Sequence, residues 1–141
     1  MLKFNTNLDY SFSIIYDIIV LIIDLYLNIP GVSSMEKQIQ NELNLLKKTI
    51  LETVPVEQIF LFGSYAEGTS NVNSDLDILV IMPDNTDIRE IDAMKLIHKA
   101  IGDIKTMPVD IIVSKKSKFN QRKATPSIER QIDKEGVIIY G

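Results

Sequence analysis

The chain has 141 residues, of which 45% are hydrophobic, and this length and composition allow one core of ordinary size. It contains no cysteine, which excludes disulfide frameworks, thiolate metal sites and cysteine nucleophiles, and which favours a reducing, cytoplasmic setting. Its formal net charge of -4 disfavours a nonspecific duplex-binding surface, because such surfaces are strongly basic, so nucleic acid is not a favoured partner.

The N-terminal stretch FSIIYDIIVLIIDLYLNI, residues 12–29, is almost entirely apolar. Asp17 and Asp24 interrupt it, and each would cost about 2.5–3.5 kcal/mol at a bilayer centre, so no membrane span is expected. As a helix, the stretch would need cover on most of its surface, from a neighbouring element or from another chain in a homo-oligomer. A strand remains an alternative because the stretch is rich in Ile, Val and Tyr.

We expect the chain to have two parts, an apolar helical extension at residues 1–34 and a single domain at residues 35–141. An alternative is that Met35 is the natural start and that the residues before it are a poorly ordered extension.

Apolar residues at helical spacing predict two amphipathic helices in the first two thirds of the domain. Ser33 and Glu36 form a capping box for the first helix, and Pro55 ends it. The second covers residues 87–101.

A third helix is predicted to begin at Thr125-Pro126, with the proline at its first helical position. Ile128 and Ile132 would then face the core, and Gly136 would end the helix.

Four short apolar runs bounded by glycine, proline or polar segments predict β-strands. They are residues 58–62, 76–82, 109–113 and 137–140. Since strands and helices alternate, we expect an α/β (α+β) fold, with a small mixed β-sheet of about four strands and helices packed on it.

Three aspartates stand at unusual positions beside these apolar strands. Asp75 and Asp77 lie two residues apart at the start of the second strand, so their side chains project from the same face. Carboxylates this close repel each other unless a cation lies between them, and Mg²⁺ prefers such oxygen ligands. If the strand at residues 109–113, which carries Asp110 near its start, lies beside the second strand, the three aspartates could hold two ions. The alternative is that Asp75 and Asp77 are only turn and strand-edge residues.

Gly63 and Ser64 follow the first strand and are predicted to begin a short helix. The backbone N–H groups at such a turn can bind an anion, glycine permits its close approach, and the serine hydroxyl adds a donor. Gly-Ser alone has little specificity, but its combination with a following Asp-Leu-Asp and a later strand aspartate is much more specific.

The segment GSYAEGTSNVNSDLDILV, residues 63–80, resembles the signature of the DNA polymerase β-like nucleotidyltransferase superfamily, in which Gly-Ser precedes Asp-x-Asp by about ten residues. In this chain Ser64 and Asp75 enclose ten residues. The resemblance covers residues 36–141 and is strongest to the minimal, MNT-type nucleotidyltransferases, small single domains often paired with a HEPN-domain toxin. The first 34 residues have no counterpart in this pattern.

The resemblance implies roles for five residues. Gly63 and Ser64 would bind the triphosphate, and Asp75 and Asp77 would bind Mg²⁺. Asp110 would join the metal site or help to activate the acceptor hydroxyl. The implied cofactor is Mg²⁺, as two ions, and the implied substrate is ATP or another nucleoside triphosphate.

Two further features bear on phosphate binding. Relatives often carry a basic residue near position 67, where this chain has Glu67. The basic segment SKKSKFNQRK, residues 114–123, could contact a triphosphate or an RNA acceptor, although a solvated loop is the more ordinary interpretation. Phe119 is its only aromatic residue, too few for a base-stacking platform.

Three functions stay open. The favoured one is transfer of AMP from ATP to a hydroxyl on a partner protein, as in antitoxins that modify a tyrosine of a HEPN-domain toxin. The second is nucleotidyl transfer to a small molecule or an RNA end, whose enzymes generally carry a further substrate-binding domain that a chain of this length lacks. The third is a non-catalytic module that only masks its partner.

Overall fold

The computed structural model describes residues 7–27 and 34–141. This part of the chain divides into two compact units, one ending at Asn41 and the other running from Glu42 to Gly141. The predicted capping box includes Ser33, which lies outside the described residues. The predicted domain boundary between residues 34 and 35 stays a prediction.

In the first unit, helix α1 extends from Asn7 to Leu27, so residues 12–27 of the apolar N-terminal stretch are helical rather than extended. Ten large hydrophobic side chains of α1, between Ile14 and Leu25, are 40–69% exposed. No helix in residues 7–27 or 34–141 is both long enough and apolar enough to cross a membrane.

The second unit contains one β-sheet with helices between its strands. Helix α2 (Ser34–Thr53) begins before this unit and continues into it. The elements that follow are β1 (Gln58–Phe62), α3 (Ser64–Glu67), β2 (Leu76–Met82), α4 (Glu90–Ile101), β3 (Val109–Lys115), α5 (Lys116–Lys123), α6 (Ile128–Glu135) and β4 (Val137–Tyr140).

The strand order in the sheet is β3-β2-β1-β4. Strand β1 pairs antiparallel with β2 and β4, whereas β2 and β3 pair in parallel. The predicted mixed sheet of four strands is therefore confirmed, and each predicted strand appears. Strands β2 and β3 are parallel because α4 connects them, which returns the chain to the same end of the sheet.

The two faces of the sheet are covered differently. On one face, α5 and α6 contribute Phe119 and Ile132 to an apolar cluster that also contains Phe60, Leu79 and Ile81. Because side chains alternate along a strand, the residues between these point to the opposite face. The large fully buried side chains of that second layer and of α2 and α4 are Leu46, Ile50, Ile59, Leu76, Ile78, Val80, Met82, Ile97 and Ile101.

The C-terminal helices differ from the prediction. Residues 116–123 form helix α5 and not a loop. Helix α6 begins at Ile128, because the Ser127 side chain caps it by accepting the backbone N–H of Arg130. Ile132 is buried as predicted, but Ile128 is 46% exposed, so the prediction that it faces the core is wrong.

Candidate active site

The parallel pairing of β2 with β3 brings two of the three candidate aspartates together. Asp77 is the register partner of Asp110, so the two residues stand side by side on adjacent strands. Asp77 is also the register partner of Phe62, the last residue of β1. The sequence expectation that the strand of Asp110 lies beside the second strand is therefore met, and both aspartates lie near the ends of their strands.

Asp75 lies just outside the sheet, in the loop that enters β2, and its side chain is exposed. A compact turn precedes it. The backbone N–H of Asn71 donates to the Ser74 hydroxyl at 2.8 Å, and the N–H of Asn73 donates to the Asn71 side-chain oxygen at 2.8 Å. This turn restricts the approach of the chain to Asp75, since Asn and Ser side chains bound to nearby backbone favour one loop conformation.

Gly63 places the turn after β1 directly against Asp77. Its backbone has φ 71° and ψ -154°, a region that only glycine occupies readily. A Cβ atom at this position would overlap the Oδ2 atom of Asp77. Glycine is therefore required here twice, by its backbone conformation and by the carboxylate next to it. The first residue of α3, Ser64, follows immediately.

The electrostatics of the site favour a cation. Burial raises the pKa of Asp77 above its ordinary value, and the nearby carboxylates of Asp110 and Asp75 raise it further. In the described part of the chain, none of the three forms an ion pair with Lys or Arg. The repulsion is not relieved internally, and a hard divalent ion is the kind of ligand that carboxylate oxygens suit.

The side chains do not converge as a group of three. Among residues 7–27 and 34–141, no three His, Cys, Asp or Glu side chains are arranged to hold a metal ion together. The donor set therefore fits a divalent cation by its chemistry and by the register of Asp77 with Asp110, although the described side chains do not form a ready-made site of three ligands.

A cavity of about 230 Å³ lies beside the Gly63 turn. Its apolar lining comes from Phe62, Ala66, Ile128 and Ile132, and its polar lining comes from Glu67, Gln131 and Glu135. No Lys or Arg belongs to this lining, and two carboxylates do. The cavity therefore suits an uncharged or cationic group better than a phosphate.

The basic side chains of residues 114–123 contact other groups of the protein and not the three aspartates. The ion pairs are Lys116–Glu57, Lys118–Glu90, Arg122–Glu129 and Lys123–Asp133, with N–O distances of 3.5, 2.6, 2.6 and 3.1 Å. The ammonium of Lys115 donates to the backbone oxygen of Thr86 at 3.0 Å. These contacts join α5 to neighbouring elements, so the segment is a structural part of the fold rather than a solvated loop.

Sequence reasoning missed one polar contact near the site. Glu42 is buried on α2 and accepts two hydrogen bonds from Thr106, in the connection that leads into β3. The sequence did indicate that Glu42 would be buried, because it lies four residues before the core residue Leu46 and therefore on the same side of the helix.

Comparison with known proteins shows what the chain is similar to. A protein adenylyltransferase MntA from Shewanella oneidensis is 42% identical over 45 residues, which are 31% of this chain and 32% of that protein. The match thus spans about a third of the length of the relative. A crystal structure described as a toxin-antitoxin with AMP-PNP superposes with a TM-score of 0.50 at 25% identity, covering 70% of this chain and 73% of that one.

The nucleotidyltransferase domain family matches residues 43–139, which is more than half of the chain and includes β1, the Gly63 turn, β2 and β3. The predicted resemblance is therefore confirmed: the chain belongs to the nucleotidyltransferase domain family.

Proposed function

We propose that this protein transfers AMP from ATP to a hydroxyl group on a partner protein, as the antitoxin of a toxin–antitoxin pair. The observation that supports the proposal most is the register of β2 with β3, which sets Asp77 beside Asp110 and next to the Gly63 turn. Carboxylates beside a glycine turn are what an enzyme needs to bind a metal-bound triphosphate.

We assign the residue roles as follows. Asp75, Asp77 and Asp110 would hold two Mg²⁺ ions, and Gly63 and Ser64 would bind the leaving phosphates. Bound divalent ions supply acidity to the attacking hydroxyl and offset negative charge on the phosphates.

The reaction needs no protein nucleophile. The acceptor oxygen forms a bond to the α-phosphorus, the bond from that phosphorus to the bridging oxygen breaks, and pyrophosphate leaves with the electron pair. Asp110 is exposed on the edge strand β3, so its carboxylate could also accept the proton of the hydroxyl.

Two similarities support a protein acceptor and ATP. One relative is named a protein adenylyltransferase, and one similar structure is a toxin-antitoxin with AMP-PNP. We propose a HEPN-domain toxin as the partner and the cytoplasm as the compartment. Transfer to an RNA end is less favoured, because the basic side chains of α5 are engaged in ion pairs.

The proposal can be tested with ATP labelled in the α-phosphate or in the γ-phosphate. The protein is incubated with Mg²⁺ and with a candidate HEPN-domain toxin. We expect the α-label to appear on the toxin and the γ-label to remain in solution, since AMP is transferred and pyrophosphate leaves.

Two variants make the test specific. Asp77→Asn should abolish labelling, whereas Asp87→Asn, an exposed aspartate in the loop after β2, should retain it. A tight complex with the toxin that acquires neither label would refute the proposed transfer and would support a module that only masks its partner. The appearance of the γ-label on the toxin would indicate a different reaction.

A further inference from the structure

Glu42 is a buried carboxylate on α2, only 5% exposed. Its Oε1 atom accepts a hydrogen bond from the backbone N–H of Thr106 at 2.7 Å, and its Oε2 atom accepts one from the Thr106 hydroxyl at 2.9 Å. The described residues include no Lys or Arg in an ion pair with it. A charge buried without a cation is costly unless hydrogen bonds compensate, so both oxygens depend on Thr106.

Thr106 lies in the connection between α4 and β3, four residues before Asp110. Pro108 has a fixed φ angle and restricts Met107 to extended conformations, so few backbone torsions separate Thr106 from the strand. The carbonyl oxygen of Pro108 accepts the backbone N–H of Leu76, the first residue of β2, at 3.0 Å. The segment that Glu42 anchors therefore contacts β2 where the strand begins.

The contact between Glu42 and Thr106 can help to fix the register of β2 with β3. In a hairpin the turn fixes the register, but parallel strands connected through a helix have no such turn. Burial of Val109 and Ile111 fixes the face on which Asp110 lies. A shift of β3 by two residues would preserve these faces and would still move Asp110 away from Asp77. The two bonds of Glu42 oppose such a shift.

Another carboxylate anchors the far end of β3. The Oε1 atom of Glu90 accepts the backbone N–H of Lys115 at 2.8 Å, and its Oε2 atom pairs with the ammonium of Lys118 at 2.6 Å. Lys115 ends β3, five positions after Asp110. Glu90 is therefore a matched control, because it makes the same kind of contact on the same strand but away from the aspartates.

We propose that Glu42 is a positioning residue for the aspartate site. Through Thr106 it holds the start of β3 so that Asp110 stands beside Asp77. The inference rests on the proposed function, since it takes these aspartates to bind a divalent cation. Loss of Glu42 should therefore weaken cation binding more than loss of Glu90 does.

The test measures Mn²⁺ affinity by calorimetry, without nucleotide, in the full-length chain and its variants. We expect Glu42→Ala to bind Mn²⁺ at least about tenfold more weakly, the size of effect that residues orienting metal ligands have. Glu90→Ala should change the affinity less than twofold, even if both melting temperatures fall equally. Glu42→Gln should recover most of the affinity, because an amide can accept the N–H of Thr106 and donate to its hydroxyl.

Hydrogen exchange gives a readout that does not depend on the metal. The amide of Leu76 should exchange faster in Glu42→Ala than in Glu90→Ala, because its bond to Pro108 lies near the lost anchor. If Glu42→Ala does not fold, Thr106→Val replaces it: this variant loses only the hydroxyl bond and should bind Mn²⁺ more weakly than Thr106→Ser.

The possible failures can be told apart. Wild-type Mn²⁺ affinity in Glu42→Ala, equal weakening in Glu90→Ala, or equal affinities in the two Thr106 variants would overturn the positioning role and leave the proposed function intact. A wild-type chain that binds no Mn²⁺, and transfers no label, would overturn the proposed function and the positioning role with it.

Discussion

Replacing Asp77 with asparagine should stabilise the metal-free protein at neutral pH. The pKa of Asp77 is raised in the folded chain, by burial first and then by Asp110 and Asp75, so ionisation costs more there than in the unfolded chain. Below the ordinary value of 3.8 both states are protonated and the cost is absent. As the pH rises through the raised pKa the cost becomes complete, and the folded state loses stability.

The size of the effect follows from the kind of site. Asparagine has nearly the same shape and no charge, so it removes the repulsion while keeping the packing against Gly63. Changes that relieve unfavourable charges commonly stabilise a protein by about 0.5–2 kcal/mol. For a chain of this length, about 1 kcal/mol corresponds to a rise of roughly 4 °C in melting temperature.

The assay is thermal unfolding at pH 7.5 and at pH 3.5, in EDTA and in excess Mg²⁺. In EDTA, Asp77→Asn should melt above the wild type at pH 7.5, and this difference should shrink at pH 3.5. In Mg²⁺ at about 100 times its dissociation constant, the wild type should gain about 2.7 kcal/mol and the variant much less. Asp87→Asn should change none of these responses. A lower melting temperature for Asp77→Asn in EDTA at pH 7.5 would show that Asp77 is a structural residue and that its ionisation does not destabilise the metal-free fold.

Three further predictions concern the surroundings of the site. Gly63→Ala should cost about 2–4 kcal/mol in chemical denaturation, whereas Gly68→Ala should cost only about 1–2 kcal/mol, because Gly68 is left-handed but has open space around it. Arg122→Ala should lower the free energy of unfolding by about 1–3 kcal/mol and leave ATP affinity within about twofold of the wild type, since its partner is Glu129 and not a phosphate. Weakened ATP binding in this variant would show that Arg122 contacts the nucleotide. Burial opposes the ionisation of Glu129, but hydrogen bonds from its own backbone N–H and from Arg122 outweigh burial and lower its pKa. The stability that this contact contributes should therefore be complete above the ordinary pKa of 4.5 and should be lost on further acidification. Melting curves of Glu129→Gln should lack that acid-dependent loss.

Sequence patterns identified the strands well because each strand is an apolar run with a clear end. Residues 58–62, 76–82 and 137–140 have the bounds that were predicted, and 109–113 extends by only two residues. Each run is flanked by glycine, proline or polar residues that cannot continue a buried strand. The spacing along the chain of Gly-Ser, Asp-x-Asp and the later aspartate also identified the candidate site residues. It did not reveal which strands pair, and the closeness of Asp110 to Asp77 depends on that pairing.

Helix α5 could not be predicted from periodicity because it has almost no apolar face. Phe119 is its one buried residue, and its ring packs on Phe60 with centroids 5.7 Å apart. Several other contacts of α5 are ion pairs or hydrogen bonds with partners that are distant in sequence, such as Glu57, Asp84 and Glu90. Glu42 was missed for the same reason, because its partner Thr106 lies 64 residues away. Local sequence patterns indicate which helix or strand a residue belongs to, whereas these residues form contacts between different helices and strands.

The same ion pairs explain why the basic side chains of α5 do not neutralise the aspartate site. Helix α5 directly follows β3, so its basic side chains begin within six residues of Asp110. The pairs with Glu57 and Glu90 lie near the ends of β2 and β3, away from the aspartates. The pairs of Arg122 and Lys123 with Glu129 and Asp133 join α5 to α6. Because the described residues supply no cation to these aspartates, the divalent ion that we propose would be the charge that relieves their repulsion.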